Sequence, residues 1–449
     1  MSHRRTMFLS VGLAGMLCST TLLGTTTAHA DGKNNLTLPG MRDRPQTPDN
    51  SFTRMFPELP PFAPPTDAAR DQAKKLGEKG SLIDAMDILT DPIQSILNPA
   101  QFSPNNPDNL NMTAGGTFFG QFLDHDITLD PRSPLLERSN PRKTTNFRTA
   151  AFDLDSVYGD GPTGSPELYD VTSGDIKFRV EPIPGSEQVS RKGAIRFDLP
   201  RDPNNNAILG DSRNDEHIIL AQFHLAMLRF HNAVTDRLRK DPSLADQSAE
   251  RIFKLAQRQV RWHYQWIILH EFLPLTIGQE RVDDILKKGL RFYEADKKKD
   301  PPIPIEFSVA AYRFGHSQIR PSYRLNFGPS VTPATPFFAF LFDDAQDPND
   351  PDPIDLRGGK RAPRRFVDWQ TFFNFGDGNS RPNKKIDGKL SSVVMLLPGS
   401  RGPAPGLPAD GVQSLASRNL MRHVNFGIPS GQAIARRMGV PALSPTQLA

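Results

Sequence analysis

Apolar residues recur at helical spacing along three stretches of the chain. Over residues 216–238, Ile218, Ile219, Leu225, Met227 and Leu228, with Gln222 among them, trace one broad face, which predicts a long helix with that face buried. The pattern predicts a second long helix over 249–271, stopped before Pro274 because proline cannot donate the hydrogen bond that would continue it. A third candidate covers 306–318 and is ended by Pro321. Alternating strand patterns are few, with minor hairpins expected around 175–200, and there is no internal repeat. The fold class read from this pattern is mainly α: a single large helical domain with long loops and minor β.

One apolar segment breaks its own pattern. Phe118, Phe119, Phe122, Leu123, Ile127 and Leu129 surround Gln121, Asp124, His125 and Asp126. Such a concentration of polar groups is costly to bury unless something pairs with it. In a helix, Gln121 and His125 are four apart and share a face, while Asp124 and Asp126 flank His125 and point elsewhere. One short element then offers three kinds of chemistry in three directions.

The chain has 449 residues, 37% hydrophobic and 23% charged, a globular balance with ample length for a large core. Residues 1–30 read as an export signal: Arg4 and Arg5 form the charged region, an apolar run from Met7 to Gly24 follows, and Ala28-His29-Ala30 offers a cleavage site. The arginine pair sits one residue out of the spacing used for twin-arginine export. The apolar run is short and interrupted by Gly, Ser and Thr, so cleavage is expected rather than a membrane anchor, and the mature protein is expected to be secreted or periplasmic. Cys18, the only cysteine, lies inside this signal, which leaves the mature chain without disulfides or thiolate metal sites. Loss of Arg4 and Arg5 takes the net charge from +4 to +2, and no basic block is interleaved with aromatics, so no nucleic-acid partner is expected. Residues 31–84 form a Pro-rich N-terminal arm and residues 85–449 the main domain. The acidic, Pro-punctuated stretch 343–355 fits a solvated surface loop better than a calcium loop, because proline hinders a tight array of alternating ligands.

Three further constellations carry chemistry. Thr149, the carbonyl of Ala151, Asp153 and Asp155 place oxygen donors at alternate positions. In a curved loop such oxygens converge, and hard oxygen ligands suit Ca²⁺; an Asx-rich turn explains the same residues equally well. Gly210-Asp211-Ser212-Arg213-Asn214-Asp215-Glu216 opens the 216–238 helix, where Ser212 with Asp215 fits a capping box. That leaves Arg213 unexplained at the entrance of an apolar helix, three residues from Glu216 and able to face the same site. In Tyr312-Arg313-Phe314-Gly315-His316 the glycine before the histidine permits close approach of something flat, although a satisfied core histidine is the commoner case. Arg418-Asn419-Leu420-Met421-Arg422 follows farther on. The pairs His224/His231 and His263/His270, each seven apart, are helix-face repeats better explained as core or surface residues than as a metal site.

Taken together and in this order, these motifs resemble the animal-type haem peroxidases of the peroxidase–cyclooxygenase superfamily, over roughly residues 85 to 440. The resemblance implies haem b and Ca²⁺ as cofactors. It implies that His125 is the distal acid–base residue, that Gln121 orders water or halide beside it, and that Arg213 is the distal catalytic arginine. His316 is similar to the proximal ligand of the haem iron, and Asn419 to the partner that accepts the other imidazole N–H. Arg313 and Arg422 look like partners of the haem propionates. Asp126 is similar to a calcium ligand, joined by Thr149, Ala151 through its carbonyl, Asp153 and Asp155, where relatives often have Ser. Asp124 and Glu216 match positions that form ester links to haem methyl groups in many relatives; plain helix acids are the alternative. His217 stands where some relatives add a sulfonium link through Met, so that link is not expected here.

The activity this implies is reduction of H₂O₂ through a ferryl intermediate, with oxidation of halide, thiocyanate or small organic donors such as phenols. A haem fatty-acid dioxygenase of the same superfamily is the nearest alternative. Those enzymes need a tyrosine three residues before the proximal histidine; here that position is Arg313, and Tyr312 is one residue too early. A non-catalytic binding or adhesion protein on the same scaffold would be marked by loss of His125, Arg213 or His316, and all three are present.

Overall fold

A computed structural model describes residues 50–170, 172, 174, 176–293, 302–330, 334–343, 350, 352–359, 362–398 and 411–448. The expected signal over 1–30 with Cys18, and most of the acidic stretch 344–351, lie outside the described residues. The helices that position the site begin with α1 (Asp67–Leu76), capped by the Thr66 side chain, which accepts from the Ala69 N–H. Helix α2 (Ala114–Ile127) carries the polar cluster; Phe118, Phe119, Phe122, Leu123 and Ile127 are all buried. A helix apolar on nearly every side must be surrounded by protein. Accordingly Phe119 meets Phe223, Tyr264 and Phe272, and Phe118 meets Tyr323 and Phe372 from another side.

The long helix expected over 216–238 is α3 (Ile218–Arg239), and its apolar face fills the core. The next, α4 (Ala249–Ile267), starts at the Ser248 cap. The expected stop before Pro274 is not what occurs. The helix widens into a π turn over Ile268–Phe272 and runs on as α5 (Leu273–Ile277), with Pro274 in its first turn. The Leu273 N–H reaches back five residues to the Ile268 carbonyl. Loosening the spiral just ahead of the ring relieves its clash with the carbonyl four residues back. Helix α6 (Gln279–Lys288) follows after Gly278.

The single helix expected over 306–318 is also divided. Helix α7 (Ile305–Val309) ends at Ala310, whose φ of −129° and ψ of −74° leave helical space, and a 3₁₀ run covers Ala311–Gln318. Side chains take the carbonyls that would have continued the helix: His423 Nε2 is 2.7 Å from the Val309 oxygen, and Arg313 Nε donates to Ser308 at 3.1 Å. His423 belongs to α8 (Leu415–Asn425), which is followed by α9 (Gly431–Met438).

Strands are short and paired two by two, all antiparallel: β1 (Asp108–Thr113) with β8 (Pro382–Lys384), β2 (Tyr169–Asp170) with β3 (Lys177–Phe178), β4 (Glu181–Pro182) with β5 (Phe197–Asp198), and β6 (Ser322–Arg324) with β7 (Phe338–Phe340). The hairpins expected around 175–200 are β2–β3 and β4–β5, and the fold is mainly α. Within the described part of the Pro-rich segment, Phe52 packs with Ile305, Val309, Phe426 and Ile428, and the Glu306 carboxylate accepts the N–H groups of Met55 and Phe56 at 2.9 and 3.2 Å. Among the described residues no helix is long and apolar enough to cross a membrane.

Helix α1 lies against α8 at Gly77, where an added Cβ would stand 2.2 Å from the Ser417 backbone nitrogen. Gly77→Ala should therefore push the two helices apart and cost about 1–3 kcal/mol. Urea denaturation checks this; an unchanged midpoint would show that the contact gives way freely.

Candidate active site

His125 is buried on α2, and its Nδ1 lies 2.9 Å from Asn214 Oδ1. Burial, reinforced by nearby Arg213, holds the imidazole down to about 3, so it is neutral at pH 7. Its Nε2 makes no hydrogen bond to any described residue. Gln121, one turn earlier, donates from Nε2 to Glu216 Oε2 at 3.2 Å, and its Oε1 is 2.9 Å from His217 Nε2. His217 Nδ1 accepts the Leu220 N–H, so the ring's proton sits on Nε2 and is donated to Gln121. The α2 face thus meets the loop before α3 through three side-chain contacts.

That loop is not closed by the expected Ser212–Asp215 capping box. Asp211 caps a 3₁₀ turn over Ser212–Asp215, and His217 caps α3 itself. Asp215 is instead taken by Arg201, which donates to both carboxylate oxygens at 2.7 and 2.9 Å; a charged fork outcompetes a single neutral cap bond. Arg213 is held the same way. Its Nε and Nη2 donate to the two oxygens of Asp211 at 3.0 and 2.7 Å, and Nη2 also reaches the backbone carbonyl of His125 at 3.0 Å. Arg148 binds Asp211 from the other side at 2.9 Å. Burial alone would raise the Asp211 carboxyl, but the two guanidiniums outweigh it and hold it well below the usual carboxylate range.

Asp124 and Glu216 border the same cleft. Asp124 is half-buried and Glu216 is exposed toward the cleft; the protein packed around them raises both carboxyls, with Arg313 and Arg213 opposing for Asp124 and Arg213 for Glu216. The Glu216 side chain still opens on the cleft, so the push takes full effect only when a bound group displaces water there. Asp124 also accepts the Thr128 hydroxyl at 3.0 Å.

Across the cleft stands the 3₁₀ run with His316. Tyr312 ties it to α2: its hydroxyl donates to the Gly120 carbonyl at 3.0 Å. A Cβ built on Gly315 meets nothing within 4 Å, which leaves open space beside His316 for a flat group. Burial and nearby Arg313 hold the His316 imidazole down to about 3. Asn419 is at hydrogen-bond distance, as expected, but presents Nδ2 to His316 Nδ1 at 2.8 Å rather than its carbonyl, because Oδ1 is turned toward Arg313 Nη1 at 3.5 Å. His316 Nδ1 is therefore an acceptor here. Ligation of a metal through Nε2 would place the proton on Nδ1 and require the amide to turn over. Arg422 contacts Asp130 at 3.6 Å and the Ser133 carbonyl at 3.5 Å.

Behind α2, Asp126, Asp153 and Asp155 bring one carboxylate oxygen each within 4.8 Å of one another. Turn bonds of the Asx kind are present as well: Thr149 Oγ1 donates to Asp153 at 2.9 Å, the Thr149 N–H to Asp155 at 3.0 Å, and the Asp153 N–H to the Ala151 carbonyl at 2.9 Å. Leu154 takes a left-handed φ of 59° between the two acids and aims both inward. Asp126 accepts the Leu154 N–H and the Ser156 hydroxyl, both at 3.1 Å. Burial, then the neighbouring Asp155 and Asp153, raise its carboxyl well above the ordinary value. Two buried acids and one half-buried one in this relation can hold a divalent cation.

The sequence reading left several site residues without a role. Asn214 lies inside the expected cap, His217 is marked in the sequence only by the missing sulfonium link, Asp211 and Arg148 anchor Arg213, and His224 is a core residue that nonetheless touches Asn214 at 2.9 Å. Gly358 lies so close to the loop that an added Cβ would stand 1.6 Å from the Asp215 carbonyl, while its N–H bonds the Glu216 carbonyl at 3.0 Å. The acidic stretch ending at Asp355 is not simply solvated either. Asp355 is buried and bound by Arg357, and the next residue's carbonyl receives the Ile218 N–H.

The fold is helical, and the helix bearing His125 is bonded to the segment bearing His316, with Arg213, Asp124 and Glu216 close to one another beside it. Residues 131–346 match the family model for animal haem peroxidases, a span that includes Arg213, Glu216 and His316. Just under half of the chain is thus similar to that family. It is 29% identical to human thyroid peroxidase over 204 residues, covering 42% of this chain and 21% of that protein. It is 27% identical to a peroxidasin homolog from Caenorhabditis briggsae over 198 residues, covering 42% and 15%. The chain thus spans about a fifth or less of the length of these relatives. Its fold is similar to that of peroxidase A from Dictyostelium discoideum, with a TM-score of 0.50 at 18% identity over 90% of this chain and 78% of that one.

Replacing Asp211 by Asn should leave Arg148 and Arg213 without their shared counter-charge and cost about 3–5 kcal/mol. Chemical denaturation measures it; a loss below about 1 kcal/mol would mean that the two guanidiniums find other partners.

Proposed function

We propose that the chain is a haem peroxidase that reduces H₂O₂ and oxidises halide, thiocyanate or small organic donors. The observation that carries this reading is the pairing of His125, neutral and with Nε2 unengaged, with an arginine tethered to its own carbonyl, opposite His316. The cleft fits haem: open space beside Gly315, an imidazole behind it, and two acids and two arginines at its border. Haem, when bound, supplies the redox-active iron at which the peroxide O–O bond is broken and two oxidising equivalents are held.

The chain's own residues do the rest. His125 Nε2 takes a proton from the incoming peroxide oxygen and returns it to the departing one. Arg213 lies against the negative charge that develops on the departing oxygen and cannot compete for the proton. Gln121, held between Glu216 and His217, positions water or an anion beside His125. His316 would hold the haem iron through its Nε2, Asn419 would accept its Nδ1 proton once the amide has turned, and Arg313 and Arg422 would pair with the propionates. Asp124 and Glu216 are the carboxylates available for ester links to haem methyl groups. Asp126, Asp153 and Asp155, with the Thr149 hydroxyl and the Ala151 carbonyl, hold calcium directly behind His125. Residues 1–30 direct export, and residues 85–449 form the haem-binding unit behind the 31–84 arm.

His125→Ala should lower the second-order rate with H₂O₂ by about 10²- to 10⁴-fold while the haem content stays unchanged. Stopped-flow absorbance measures the rate, and a variant reacting at the normal rate would remove His125 from this role.

Calcium should also reverse the pH dependence of stability. In chelator the raised Asp126 carboxyl favours the fold when protonated. That contribution is present below the ordinary carboxyl value and is lost as pH rises through the raised one. With calcium bound, protons compete with the ion and stability falls on acidification instead. The gap in Tm between calcium and chelator should therefore widen from pH 5 to pH 7.5. An equal gap at both pH values would count against the site.

A further inference from the structure

Behind His125 lies a line of three buried side chains. His125 Nδ1 is 2.9 Å from Asn214 Oδ1, and Asn214 Nδ2 is 2.9 Å from His224 Nδ1. Asn214 and His224 are completely buried, and His125 is nearly so. An amide has one accepting end and one donating end, so its direction dictates where each ring carries its single proton. With Oδ1 toward His125, the His125 proton is on Nδ1 and its Nε2 keeps a lone pair. His224 then accepts at Nδ1 and carries its own proton on Nε2. With the amide reversed, His125 would be protonated on Nε2 and could not take a proton there.

We propose that Asn214 is a positioning residue that holds the His125 proton on Nδ1, and that His224 sets the direction of the Asn214 amide. Three features support this sense of the line. Asn214 sits in the 3₁₀ turn capped by Asp211, its N–H bonded to the Asp211 carbonyl at 2.9 Å, so its backbone is fixed beside α2. His224 emerges from the second turn of α3, from the same buried face that packs on Phe122. Its Nε2 has no oxygen or nitrogen partner, and its ring meets Phe122 edge to face with centroids 6.1 Å apart, so a proton there costs no competing bond. His224 therefore acts two residues away from the chemistry by denying Asn214 the reverse orientation. The consequence for turnover rests on the reading of His125 as the acid–base residue; the proton placement itself does not.

Neutron diffraction from a crystal of the deuterated, haem-loaded protein reads the proton positions directly. Deuterium on His125 Nδ1 and on His224 Nε2 is expected; deuterium on His125 Nε2 would overturn the proposal. In solution, Asn214→Leu and His224→Phe should each lower kcat/KM for H₂O₂ by about 10- to 100-fold, the scale typical of lost orienting partners, without changing KM for the electron donor or the haem absorption spectrum. His224→Gln, which can still accept from Asn214 Nδ2, should recover most of that loss. Equal losses in His224→Phe and His224→Gln would reduce His224 to a packing role and overturn its part. If His125→Ala itself reacted normally with peroxide, the functional reading would fall while the diffraction result stood.

Discussion

A buried run of alternating charge, Asp155–Arg148–Asp211–Arg213, holds this architecture together. Arg148 stands 3.6 Å from Asp155 and 2.8 Å from Asp211, and Asp211 in turn grips Arg213, which reaches the carbonyl of His125. No member is satisfied alone, because each charge has been taken out of water and leans on the next. The run joins the three-carboxylate cluster behind α2 to the arginine in front of it. A change of charge at Asp155 is therefore felt at Arg213 through two intervening groups rather than through the bulk of the fold.

The same run explains why the acids of the cluster sit so close to one another. Arg148 offsets one of them, and the turn N–H groups offset parts of the others, but Asp126 remains pushed toward its neutral form by its neighbours. Such a cluster is strained by design of its charges, and whatever relieves the repulsion also stiffens the helix that bears His125. The cleft and the carboxylate cluster are two faces of one helix, so they are stabilised or loosened together.

Much of this was legible in the sequence wherever the determinants are local. The period of α3 and the concentration of polar groups on α2 show themselves within twenty residues. What was not legible depends on partners far away along the chain. Pro274 reads as a stop, and only a π turn packed into the core carries the helix past it. The break at Ala310 exists because His423, over a hundred residues later, takes the carbonyl of Val309. Asp215 looked like a cap because its partner Arg201 lies outside the motif. Asn214 was hidden by the same logic: its importance comes from His125, 89 residues earlier, and His224, a turn into the next helix. The amide of Asn419 shows the limit from another side, since proximity to His316 follows from the fold while the direction of the amide follows from Arg313.

Tyr312 gives the cleft a property that no single wall has. Its ring rises from the segment bearing His316 and its hydroxyl is fixed to the backbone of the helix bearing His125. The separation of the two walls is thereby the length of one rigid side chain, a gauge built into the molecule. A pair of walls held by a gauge selects by thickness: it admits a planar guest and rejects a bulky one without any contact specific to either. It also means that the spacing of the two histidine-bearing segments is tied to one side chain and one hydrogen bond rather than to the surrounding loops.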